Sequence, residues 1–465
     1  PPPPPPPARA SLCVREGGAM NRAAFPLFLY LSVSLFLCTG CFSALDPEDL
    51  NNPPASVPGA TTVSSDGGPL VLVHYMPWYK GPASKSQENA LSSYGGHWTG
   101  WGKINPTEVT TNGQAKIYAH QYPLTGPYDQ NAANLLEYQA ALMKIAGIDG
   151  VIFDWYGSRN VNDFGEIHEH AKAFVTVLKK AGLVFAVCYE DNTLNMEYNG
   201  KENVPSDAAT AGGKEVFRWL GQNWFADPAY VKYEGRPVLL CFGPQYFSQT
   251  QWAQLFAETE TAPYFVDLDN RTSWADASYA WPPMGRSVNG ELSIPALQNY
   301  LSGFYTGRQK NKPYRVATAF PAFDDCYEDV GNASYGNLAY NNGETFDLTF
   351  TAAYTFNPQI IQIATWNDYG EGTIIEPTIE RGYRELEYLQ DKQKSWNPAF
   401  SHTKEDLRIP LEFYKLQYAR ATAPSASIAA SYNALFAGNV AGFRSAAEAA
   451  GVTVDMNALQ PLLRE

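Results

Sequence analysis

Eight short apolar runs punctuate the chain, and they constrain its fold more than any other feature. They cover residues 69–76, 148–156, 182–190, 236–243, 262–269, 276–281, 314–320 and 358–366. Most are continuous rather than alternating and rich in Val, Ile, Phe and Tyr. That is the pattern of a strand buried on both faces. Helical periodicity stands before several of them. Leu135, Leu136, Tyr138, Leu142 and Ile145 fall near one face over 131–145, and a similar pattern over 163–180 meets its stop at Gly182. Eight strands with helices between them predict an α/β fold, a (β/α)8 TIM barrel spanning 69–420 as a single domain. The run at 276–281 is the weakest strand. A doubly wound sheet is the rival, but no Gly-rich phosphate loop follows any run.

The ends of the chain read differently. Residues 1–41 begin with seven prolines, and Met20 is a plausible true start. Arg22 and the apolar run from Phe25 to Cys38 then resemble a signal peptide, too short for a good membrane span. The "LCTGC" ending is similar to a lipoprotein signal that would place lipid on Cys41. The expectation is export, to the outside, to the cell envelope, or into a eukaryotic secretory pathway. Residues 42–68 form a Pro/Asn/Ser linker, and 421–465 an Ala-rich tail with one short helix at most. Beyond residue 41 only Cys188, Cys241 and Cys326 remain. An odd number cannot all pair, so this is no disulfide scaffold. All three read as buried small hydrophobes.

In a barrel of this type the C-terminal strand ends hold the chemistry. Here they offer His74, Tyr75, Trp78 and Tyr79 after the first strand, Asp154, Trp155 and Tyr156 after the second, and Tyr189, Glu190 and Asp191 after the third. Asp267 and Asp269 follow the fifth, Asp324 and Asp325 the seventh, and Trp366, Asn367, Asp368 and Glu371 the eighth. A packed core does not explain so many carboxylates, because each buried acid must be hydrogen-bonded or protonated. A sugar site does: hydroxyls pair with carboxylates, and ring faces stack on Trp and Tyr. Glycoside hydrolysis also needs two carboxyl groups, and Asp368 and Glu371 share one loop. Glu376 reads as a helix cap or a salt-bridge partner. The net charge of -14 and the lack of a basic run in the folded region exclude nucleic acid as a natural partner. The expected partner is a polysaccharide or glycan, with no stable protein partner implied.

Five motifs in order carry a family resemblance: "HYMPWY" (74–79), "GGHWTG" (95–100), "FDWYG" (153–157), "CYEDN" (188–192) and "NDYGEGTIIEP" (367–377). Together they resemble glycoside hydrolase family 99, the endo-α-mannosidase and endomannanase group, with features of the related family 71 α-1,3-glucanases. The resemblance spans roughly 70–416. It implies an endo-acting hydrolase of α-linked mannosidic or glucosidic bonds. Glu371 is then the general acid/base. Asp368 is the carboxylate that assists attack by the substrate 2-hydroxyl in family 99, with retention. Glu190, Tyr75, Trp78, Tyr79, His97, Trp98, Asp154, Trp155, Tyr156, Trp366 and Asn367 are the implied substrate contacts. The chain departs from family 99 in having Asp at 368 where that family has Glu, Gly at 370 where it has His, and Asp at 154 where it has Ser. The shorter Asp368 is closer to family 71, whose members invert, so retention and inversion both stay open.

A non-catalytic carbohydrate-binding protein on the same scaffold is the alternative. No cofactor is expected. Asp324, Asp325, Glu328 and Asp329 are hard oxygen donors suited to calcium, although their spacing is not that of an EF-hand loop. The histidines at 74, 97, 120, 168 and 170 lack a zinc-protease spacing.

Overall fold

The computed structural model describes residues 68–199, 201, 206–420 and 425–452. All eight runs form strands: β1 (Leu70–Tyr75), β2 (Gly150–Trp155), β3 (Val184–Tyr189), β4 (Arg236–Cys241), β5 (Tyr264–Leu268), β6 (Ala277–Tyr279), β7 (Val316–Ala319) and β8 (Ile360–Ile363). They are parallel and hydrogen-bonded in the order β6-β5-β4-β3-β2-β1-β8-β7. Gly150 shows how tightly β2 and β3 approach: a Cβ there would stand 1.9 Å from the Val184 carbonyl oxygen.

The barrel is mostly closed. Between β6 and β7, side chains do what a ladder does elsewhere. Thr318 Oγ1 donates to the Ala280 carbonyl at 2.8 Å, and Gln362 Nε2 donates to the same oxygen at 3.1 Å. The Tyr264 hydroxyl reaches the Tyr314 carbonyl at 3.3 Å. With three residues, β6 is the shortest of the eight strands, which is why this run looked weakest in the sequence.

Helices α1 (Ala133–Ala146), α2 (Phe164–Ala181), α3 (Ala208–Leu220), α4 (Gln249–Phe256), α5 (Ile294–Thr306), α6 (Glu344–Thr355) and α7 (Arg384–Trp396) surround the sheet. Leu135, Leu136, Tyr138, Leu142 and Ile145 are all buried, and Gly182 ends α2 in the left-handed region at φ 69°. No helix joins β5 to β6. After α7 the chain adds α8 (Ile409–Arg420), α9 (Ala426–Phe436) and α10 (Val440–Ala449).

The tail is therefore more ordered than expected. It holds two helices, and their Ile428, Tyr432, Leu435, Phe436 and Phe443 are buried. Alanine-rich sequence hid this, because few large residues suffice when a neighbouring surface is already in place. Among the described residues no helix is long and apolar enough to cross a membrane. The expected signal, the lipid site at Cys41 and nearly all of the linker lie outside the described residues.

Candidate active site

Strand alternation sorts the predicted residues first. Successive side chains point to opposite faces, so only every second one enters the barrel. His74, Asp154, Cys188, Tyr279, Thr318 and Gln362 face inward. The Tyr279 hydroxyl lies 3.4 Å from Cys188 Sγ across the interior, and Gln362 Oε1 lies 3.2 Å from His74 Nδ1. Gln362 Nε2 already donates to Thr318 and Ala280, so its oxygen accepts and His74 Nδ1 carries the proton.

Tyr75 and Trp155 point the other way. Tyr75 donates to Gln139 on α1 at 2.6 Å. Trp155 packs on Trp219 and Trp224 and donates to His168 Nδ1 at 3.3 Å. Burial holds His168 down at about 4, so it is the neutral acceptor this bond needs. Both aromatics belong to the layer between sheet and helices. Trp98 and Trp366 are likewise wholly buried, Trp98 with its indole N–H on the Tyr128 carbonyl. Asn367 spends its amide on the backbone of Met76, accepting from its N–H at 2.9 Å and donating to its carbonyl at 3.0 Å. These five residues shape the site rather than line it.

Most of the acids at the strand ends have local work. Asp191 accepts the N–H groups of Gln245, Tyr246 and Phe247. Asp267 accepts from Thr272 N and Asp269 from the Tyr300 hydroxyl. Asp325 accepts from Ser334, Tyr335 N and Tyr327 N. Short carboxylates at turns prefer nearby backbone N–H groups. Asp324 is held by His120 at 3.1 Å, Gln121 and Asn337. Those bonds turn Asp324 and Asp325 to different partners, so the acids of 324–329 do not form a calcium cage. Among the described residues the metal-competent group is instead His74, Asp154 and Cys188, whose donor atoms lie within 4.8 Å of one another. Sequence spacing could not show it, since the three stand on separate strands.

The loop after β8 carries Asp368 and Glu371. It begins at a cis Ala364–Thr365 peptide. Asp368 N donates to Thr365 Oγ1 at 2.8 Å, and Asp368 Oδ1 accepts from Glu371 N at 3.1 Å. The short Asp thus closes a turn over its own loop. Glu371 is 4% exposed and Asp368 3%. The Tyr327 hydroxyl donates to Glu371 Oε1 at 3.0 Å. Arg381 bonds the carbonyls of Gly372 and Ile374, and Tyr369 N donates to the Tyr79 hydroxyl. Glu376 is neither helix cap nor ion-pair partner. It accepts from Gln139, Tyr128 and Tyr369 at 2.7–2.8 Å in a closed pocket. Burial pushes it up to about 6 despite those donors.

Aromatic rings wall one side. His97 stacks on Trp78 at 4.5 Å with its edge toward Tyr79, and Tyr156 tilts against Trp78 at 6.2 Å. His97 also lies 3.5 Å from Asp163. Glu190 is buried at the end of β3. Tyr327 and Tyr118 were missed in the sequence. Tyr327 sits in "FDDCYED", where the acids drew the eye, and Tyr118 has no motif around it.

The family described as Glycosyltransferase WbsX matches residues 72–341. The chain belongs to the WbsX family. That match covers β1 to β7 and stops before Asp368 and Glu371. Glycoprotein endo-alpha-1,2-mannosidase of Mus musculus is 21% identical over 313 residues, 60% of this chain and 63% of that protein. Uncharacterized protein WxcX of Xanthomonas campestris pv. campestris (strain B100) is 20% identical over 333 residues, 63% of this chain and 46% of that protein. The chain thus spans less than two thirds of either relative. The GH99 endo-alpha-mannosidase from Bacteroides thetaiotaomicron superposes with a TM-score of 0.52 at 17% identity, covering 73% of this chain and 100% of that one. Its complex with bis-tris propane also gives 0.52, at 18% identity. The WbsX chain therefore shares the family 99 barrel fold.

Proposed function

We propose that this protein is an endo-acting glycoside hydrolase of α-linked mannosidic or glucosidic bonds. One observation carries the reading: two recessed carboxylates, three residues apart, on a loop braced from β1, β7 and its own turn. Glu371 serves as the general acid that protonates the departing sugar oxygen, with Tyr327 orienting its carboxyl. Asp368 supplies the second carboxylate. Its role divides two routes. Assistance to a substrate 2-hydroxyl gives retention, as the family 99 resemblance implies. Activation of a water gives inversion, as on the family 71 side.

The family description favours a second reading, glycosyl transfer. In a retaining enzyme an acceptor hydroxyl can replace water at the second step, so transfer and hydrolysis use the same residues. A nucleotide-sugar donor finds less support, because no Gly-rich phosphate turn follows any strand.

Product analysis by NMR tests the reading. The protein is challenged with α-1,2/1,6-mannan and with α-1,3-glucan, with and without added acceptor sugar. An α anomer released first means retention, and a β anomer means inversion. Glu371→Gln is expected to lower turnover at least about a hundredfold, the lower range for a general acid, while binding survives. Binding without turnover in the unaltered protein would instead make it a carbohydrate-binding protein.

A further inference from the structure

The segment 95–102 presents a tryptophan that the carboxylate chemistry does not use. Trp98 anchors it, fully buried. Three residues on, Trp101 is 53% exposed. Its backbone is left-handed at φ 54°, between Gly100 at φ 53° and Gly102 at φ 83°. Bulky side chains rarely adopt that region, and departures of this kind gather at ligand sites.

The surroundings fix where the indole stands. It lies over Gly96, where a Cβ would come within 3.0 Å of its Cδ1 and Nε1. It meets His97 edge-on at 5.0 Å and Tyr118 at 6.1 Å. His97 in turn stacks on Trp78. Tyr118 and Asp368 converge over Gly370: a Cβ on that glycine would stand 3.9 Å from the Tyr118 ring and 3.4 Å from Asp368 Oδ1. Trp101 is therefore one ring removed from the Asp368 loop, on its solvent side. Trp101 N donates to Gly96 O and Gly102 N to Thr99 Oγ1, so the turn is braced.

We propose that Trp101 is a stacking platform for a pyranose ring outside the bond being cleaved, a distal subsite that makes the site select oligosaccharides over short donors. The proposal rests on the glycosidase reading above and deepens it. An exposed indole offers an apolar face to the C–H side of a sugar while the hydroxyls stay in water. The fixed turn means that little order is lost when the sugar binds.

The experiment compares Trp101→Ala and Trp101→Phe with the unaltered protein, on matched long and short α-mannan and α-1,3-glucan oligosaccharides. For Trp101→Ala, kcat/KM is expected to fall about tenfold further on the long substrate than on the short one, mainly through KM, the scale of one lost aromatic contact. Trp101→Phe is expected to restore most of the difference. In Glu371→Gln protein, long oligosaccharides should shift the tryptophan emission, and the shift should shrink when Trp101→Phe is added. Equal losses on both lengths, or none on either, in a protein that does cleave would overturn the platform and leave the glycosidase reading standing. If the unaltered protein cleaves nothing but the Glu371→Gln emission shift depends on Trp101, the glycosidase reading fails and the platform stands. No cleavage and no emission shift would overturn both.

Discussion

At the scale of single residues, the site depends on side chains that act through others. Tyr327 is half-buried, and its hydroxyl is the donor on Glu371 Oε1. Tyr327→Phe removes that donor and little packing. We expect kcat to fall by up to about tenfold, the scale of one hydrogen bond, with KM and melting temperature nearly unchanged. A kcat equal to that of the unaltered protein would show that Glu371 is oriented without it. Asp368 gives the same lesson through its side chain. Its Oδ1 accepts from Glu371 N, a reach that suits Asp in a turn.

At the scale of elements, the loop after β8 is held from below by Glu376. This carboxyl accepts three hydrogen bonds, yet burial dominates and raises it to about 6. A raised carboxyl stabilises the fold below its unfolded value, near 4.5, and that contribution disappears as pH climbs through about 6. A shift of this size corresponds to about 2 kcal/mol. Urea unfolding should therefore show the protein losing about that much between pH 4.5 and 7 from this group. Glu376→Gln should lack the loss, because the Tyr128 and Tyr369 hydroxyls can turn to accept from an amide. Parallel pH profiles for the two proteins would refute the assignment. Glu376 also marks the limit of what sequence could say. The eight strands were legible because burial on both faces leaves continuous apolar runs. That Asp368 and Glu371 share one loop was legible because they stand three residues apart in a motif. Which acids had partners elsewhere was not, because Asp191 meets Gln245, Tyr246 and Phe247 only once the loops after β3 and β4 come together, whereas Asp325 is held inside its own loop after β7. Nor was the sorting of Trp155 from Asp154: the alternation was visible, but its phase relative to the barrel was not.

At the scale of the whole molecule, a buried carboxylate ties α10 to the start of α8. Asp406 precedes α8, and Arg444 of α10 grips it with two bonds, Nε at 2.8 Å and Nη2 at 2.7 Å. Burial opposes its charge, but Arg444, His402 and the Thr403 N–H prevail and hold Asp406 at about 2. Tyr432 of α9 meets Phe413 of α8 edge-on at 5.3 Å, and Ser431 donates to the Phe443 carbonyl to join α9 to α10. A depressed carboxyl stabilises above its unfolded value, near 3.8, and the contribution is lost as pH falls through about 2. Arg444 is itself 41% exposed, so solvent screening reduces its share to about 1 kcal/mol. We therefore expect Arg444→Met to lower stability by about that amount at pH 7, with the difference fading as Asp406 protonates. Removing the chain from residue 425 should cost more, because it also uncovers Phe413. Hydrogen exchange localises the effect: protection should fall in α8 and α1, which α9 and α8 cover, and hold in β8. Loss of protection in the β8 loop as well would mean that the tail supports Asp368 and Glu371 directly, and cleavage rates of the truncated chain would fall with its stability.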